Sequence, residues 1–172
     1  MFAFTPLFQI AYLAANTIFF SAVALVTRAT ARRAAGALCS TLVFAAMSGP
    51  LDLLGRRAGW WIFPSCDNPP HPPLAVYVGQ ALACVGCVAL VGWRVQRRFG
   101  ARGVTAFAAL VCGLGLVRDF SLAAVFPMLI RFGPMPASAI ADLGAWALVV
   151  LVAFSVMRLV SGPVRADALR GA

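Results

Sequence analysis

The chain has 172 residues, of which 62% are hydrophobic and 11% charged, with a formal net charge of +9. A soluble domain carries about 25% charged residues, so composition excludes an ordinary water-soluble fold. All fourteen basic residues are arginines, most of them between apolar runs; they form no stripe for nucleic acid and instead fit topology signals and contact with anionic membrane lipid.

Five apolar runs have about the 20 residues needed to cross 30 Å of hydrocarbon. The first, Leu7 to Thr27, has no basic residue before it, unlike a secretory signal, and reads as a retained helix. It places Asn16 near mid-depth. Arg28, Arg32 and Arg33 lead into a second run, Ala34 to Leu54, which carries Pro50 and Asp52 late in its course. Asp52 and Arg56 are spaced to pair along one helix face.

The stretch GPLDLLGRRAGWWIFPSCDNPPHPP, Gly49 to Pro73, follows. Its Trp60, Trp61 and Phe63 suit an interfacial aromatic belt. Its prolines impose a stiff, extended turn. The third run, Leu74 to Trp93, holds Tyr77 and Gln80 in its first half. Gly79, Ala83 and Cys87 make a small-residue stripe there, a close-packing seam or a homo-oligomer contact. Cys84 and Cys87 form a CxxC, a thiol-redox alternative placed deep for exchange with an outside partner.

Arg94, Arg97, Arg98 and Arg102 precede the fourth run, Val104 to Ile130, which carries Arg118, Asp119 and Pro127. Adjacent helical residues point about 100° apart and do not face each other, so at least one of Arg118 and Asp119 is expected to find a partner on another helix or in water, with Asp142 or Asp52 able to pair with Arg118. The fifth run, Ser138 to Val160, has Asp142 about one turn in, where it can also cap the helix. Asn16 and Gln80 are expected to bond between helices.

These readings give an all-α, polytopic membrane bundle of five helices in one domain. Three connections on one side carry ten arginines and the other side three, which places the N-terminus outside and the C-terminus inside. The expected location is the plasma or inner membrane of a bacterium. In that topology Asn16, Asp52, Tyr77, Gln80, Arg118, Asp119 and Asp142 all lie between mid-depth and the outer surface. A charge inside a membrane marks a functional site by default. An outward polar cavity is therefore expected, with Asp52 and Asp119 handling protons and Arg118 holding one carboxylate ionised. Trp60, Trp61, Tyr77, Gln80, Asp142 and Asn16 would contact a hydrophobic small molecule. Buried polar groups satisfy backbone freed by Pro50 and Pro127, or those prolines are simple kinks.

Cys66, Asp67 and His71 make too thin a set for a metal. No nucleophile elbow, P-loop, HExxH or dinucleotide fingerprint occurs, so no cofactor is expected. The polar groups can equally serve a non-enzymatic lipid or small-molecule binder, a transport component or a structural subunit.

Two segments echo each other. SGPLDLLGRRAGWWIFP (Ser48 to Pro64) and VRDFSLAAVFPMLIRFGP (Val117 to Pro134) each pass from a late-helix aspartate through arginine and aromatic residues to glycine and proline. With the proline-rich turn and VYVGQAL, the span from Ser48 to Pro134 resembles the spirocyclase AveC-like membrane family and, more distantly, membrane carotenoid cyclases of the lycopene-cyclase type. Asp52, Gly55, Gly59, Trp60 and Asp119 carry the resemblance. It implies cyclisation or dehydration of a polyketide-like substrate, or proton-initiated ring closure of a polyene. This chain departs from the pattern one turn after Asp119, where Ser121, Leu122 and Ala123 stand in place of an acid, and it has no glutamate.

Overall fold

A computed structural model describes residues 4–66 and 71–163. Helix α1 is Pro6–Val26 and α2 is Ala31–Arg57. A threonine starts each: Thr5 accepts from the Phe8 amide at 3.2 Å and Thr30 from the Arg33 amide at 3.3 Å. Pro6 sits at the first helical position, where no amide donor is needed. Helix α2 continues through Pro50 and ends a turn beyond the predicted boundary, so Asp52 is held on regular helix.

Helix α3, Leu74–Ala81, passes into a π-helical turn, Leu82–Gly86, and then into α4, Cys87–Val125. Gly100 interrupts α4 with φ 63° and ψ −152°, where two helical stretches meet. Phe107, beyond the break, comes alongside Gly92, before it, and packs edge-on against Phe154 at 6.5 Å. The chain therefore reverses at Gly100. Helix α5 is Ala137–Ser161. It starts earlier than predicted, and α4 stops before Pro127, not at Ile130.

Four helices are long and apolar enough to cross a membrane: Pro6–Val26, Ala31–Arg57, Leu74–Val125 and Ala137–Ser161. The protein is an all-α, multi-pass membrane protein. Large apolar side chains such as Leu7, Ile18, Leu25 and Leu159 are left exposed by the chain itself, as lipid-facing residues must be.

Small residues bring the helices together. Gly36 leaves room for Ser161 and Met157, and Ser40 on the same face gives its hydroxyl to the carbonyls of Gly36 and Ala153 at 2.9 and 3.3 Å. This seam makes α2 and α5 the tightest pair. The expected stripe of Gly79, Ala83 and Cys87 is not one continuous face, because the π turn adds a residue per turn between Gly79 and Cys87. Gly79 receives Tyr12 of α1. That contact closes this part of the stripe within the chain.

Two short strands were not foreseen. Strand β1, Trp61–Ile62, pairs antiparallel with β2, Arg131–Phe132, with Trp61 opposite Phe132. The Gly133 amide donates to Trp60 O at 2.8 Å, and Ser65 Oγ donates to Met128 O at 2.5 Å. Phe120 and Phe132 stack at 4.2 Å. The two segments that echo in sequence are thus tied together across one end of the bundle.

The Gly100 reversal gives a first test. Only glycine occupies that backbone region without strain, which costs another residue about 1–3 kcal/mol. Gly100→Ala is expected to destabilise the detergent-solubilised protein by about that free energy, read as a lower thermal midpoint. An unchanged midpoint would show that the reversal does not need this backbone conformation.

Candidate functional site

The strand pair and the adjoining helix ends enclose a cavity of about 300 Å³. Asp52, Asp119 and Asp142 line it with Arg118, Tyr77 and Gln80. The polar groups that the sequence placed at one depth therefore do share one space. Trp61 also lines it, whereas Trp60 and Asn16 do not. Trp60 leans on Trp61 at 5.9 Å outside the cavity wall. Asn16 turns back on its own helix, donating to Tyr12 O at 2.7 Å, so the expected bond to another helix is not made. Phe4, Phe8 and Phe44 add apolar wall.

Each of two aspartates is held by an indole. Trp61 Nε1 donates to Asp52 Oδ1 at 3.1 Å, and Tyr77 Oη donates to Asp52 Oδ2 at 2.5 Å. Asp52 is thus engaged by aromatic donors and not by Arg56, whose side chain is exposed. Trp146 Nε1 donates to Asp119 Oδ2 at 2.8 Å, while Arg118 contacts Asp119 Oδ1 at 2.6 Å. The sequence expectation that Arg118 and Asp119 point apart fails because the long guanidinium arm swings round the helix to its neighbour. Arg118 pairs with neither Asp142 nor Asp52.

A glycine one turn from each aspartate makes the seat. A Cβ on Gly55 would stand 2.6 Å from Trp61 Nε1, and one on Gly115 would overlap the Trp146 ring. In both cases the same helix supplies the aspartate and the gap into which the indole lies flat. Trp146 was among the aromatic residues that the sequence offered as a pocket wall, whereas Gly115 was missed as a site residue. The Asp–Gly spacing of one turn was a visible signal, but the indole arrives from another element.

Asp142 is 6% exposed and lies inside α5, well past the first helical residue, so it is not a cap. It lines the same cavity as Asp119, and its Oδ2 is buried without a hydrogen-bond partner among the described residues. Asp119 accepts from Arg118 and Trp146, whereas among the described residues no cationic side chain is ion-paired to Asp142.

Cys84, in the π turn, also lines the cavity; it and Cys87 are free thiols with no disulfide between them. Asp67 of the considered metal set lies outside the described residues. Among the described residues no group of three His, Cys, Asp or Glu side chains is placed to hold a metal ion. No family model matches the chain, and no curated protein or solved structure matches it.

Proposed function

We propose that the protein is a small membrane enzyme acting on a hydrophobic, polyketide- or terpenoid-like molecule by acid/base chemistry of the cyclase type. The observation that carries this reading is three aspartates lining one aromatic-walled cavity, of which one alone is ion-paired among the described residues. Counting the two stretches of α4 separately supports five spans, and the arginine bias supports an outward N-terminus in a bacterial plasma or inner membrane.

In this mechanism Asp142 gives its proton to a double bond or carbonyl of the bound molecule. The positive charge that develops faces the Asp52 carboxylate and the π systems of Tyr77, Phe44 and Trp146. A new C–C or C–O bond closes the ring. The product then loses a proton from a neighbouring atom to the Asp119–Asp142 pair, which restores it. Arg118 and Trp146 fix Asp119 throughout, and Tyr77 and Trp61 fix Asp52. The step is an isomerisation. The resemblance of Ser48 to Pro134 to AveC-like proteins and carotenoid cyclases is consistent with this class of reaction.

The test is a comparison of lipid extracts from cells expressing the protein and from cells lacking it, grown in D₂O-supplemented medium. The expected product has the mass of its precursor, a different chromatographic retention, and solvent deuterium at the carbon protonated. A product of altered oxidation level would overturn the reading.

A second reading, of a binder that holds its ligand unchanged, is favoured by one observation. Both oxygens of Asp52 and both of Asp119 are already engaged by protein donors. It predicts that an extract component co-purifies unaltered and that no isomer appears.

A further inference from the structure

A second cavity, of about 860 Å³, lies at the opposite end of the bundle. The start of α2, the Gly100 reversal and the end of α5 build it. Arg33, Arg97 and Arg158 line it with Trp93 and Gln96, and among the described residues no acid does. Trp93 is 2% exposed, yet its Nε1 is buried with no acceptor among the described residues, and Arg97 NH1 is in the same condition. A buried donor left unpaired is costly, and a cationic one more so.

The surroundings are fixed in place. The fully buried Arg33 donates NH1 to Gly162 O at 3.1 Å and NH2 to Pro163 O at 2.9 Å. Its guanidinium carbon stands 5.3 Å from the Trp93 ring centre, and that of Arg94 stands 5.4 Å from it. Arg94 also donates to Thr27 O at 2.5 Å. Cations held by carbonyls and an indole face, beside two donors without acceptors, match an anion with several acceptor oxygens. Guanidinium forks fit the oxygens of phosphate.

We propose that this cavity binds a phosphate group, carried by an anionic lipid headgroup or by a soluble phosphate compound. Trp93 Nε1 and Arg97 NH1 donate to it, and Arg158 supplies a further positive charge at the rim. The site is separate from the aspartate cavity and does not depend on any reaction there.

The full chain, purified in neutral detergent, is titrated with inorganic phosphate, with short-chain phosphatidylglycerol, and with chloride at matched ionic strength. The readouts are the thermal midpoint and tryptophan fluorescence. A saturable rise in midpoint is expected with a phosphate-bearing probe and not with chloride, whose screening acts alike on all surface arginines. Response to the lipid alone identifies the headgroup as the source. Response to inorganic phosphate alone identifies a soluble ligand, and response to both marks the phosphate itself as the recognised group. Arg97→Gln and Trp93→Phe, which keeps an aromatic ring of smaller size and removes the N–H, are expected to weaken binding by about tenfold. Arg158→Gln, at an exposed position, gives a variant with no core disturbance and the same expected direction. No saturable response to either phosphate probe, or unchanged affinity in all three variants, would overturn the proposal.

Discussion

Asp142→Asn is expected to abolish conversion of the hydrophobic substrate, with a loss of about 10²–10⁴-fold in turnover, while the protein still inserts and folds. Asparagine has the shape of aspartic acid, so the packing of the 6% exposed side chain and the Arg118–Asp119 pair are retained. What is removed is the transferable proton. The measurement is the rate at which the isomeric product forms in membranes containing equal amounts of folded wild-type and variant protein. Turnover at the wild-type rate would show that Asp142 is not the donor. Loss of turnover together with loss of folded protein would assign it to the scaffold instead.

Gly115→Ala is expected to be the most destabilising single-methyl change in the site. The added carbon overlaps the six-membered and five-membered rings of Trp146 where they fuse. Trp146 is 7% exposed and belongs to the buried core with Val149, so the indole can give way only toward the cavity it lines. Overpacking of this kind costs about 1–3 kcal/mol. Displacing the indole also breaks its bond to Asp119, and a hydrogen bond to a charged group is worth about 1.5–3 kcal/mol. The thermal midpoint in detergent is the measurement. The double variant Gly115→Ala/Trp146→Leu separates clash from other causes, because neighbouring effects are not additive. In the Trp146→Leu background the alanine should cost little. If its full cost persists there, the glycine serves the helix and not the indole.

The membrane class and the shared depth of Asp52, Tyr77, Gln80, Arg118, Asp119 and Asp142 were legible in the sequence. Depth follows from counting residues along an apolar run, at about 1.5 Å each, and such counts tolerate an error of two or three residues. Rotation about a helix axis is a different matter. Here the spans are apolar on nearly every side, so no polar face reveals which way Asn16 or Gln80 turns. Asn16 consequently looked like an interhelical bond former and proved to bond within its own helix. The pairing of Asp52 with Arg56 satisfied the helical spacing rule, yet Trp61 and Tyr77 approach from other elements and take both oxygens. The π turn was invisible for a related reason. Its Gly86 meets Thr41 and Phe20 on neighbouring helices, and nothing local in LACVG marks the turn. The strand pair was hidden because two residues of extended backbone are shorter than any alternating pattern can announce. The weak echo between the two segments was nevertheless a signal that they occupy corresponding places.

Helix α1 has a consequence for kinetics under the proposed reading. Its buried residue is Phe20, while Phe4, Phe8 and Tyr12 form one side of the aspartate cavity. The β1–β2 clasp ties the loops over the end of the bundle, which leaves the thinly attached α1 as the side that yields with the smallest loss of contacts. A molecule admitted there arrives sideways out of the bilayer. Its saturation curve would then follow mole fraction in the lipid phase and not amount per volume of buffer, so diluting the reaction with empty vesicles that exchange the substrate would slow it, and diluting with water would not.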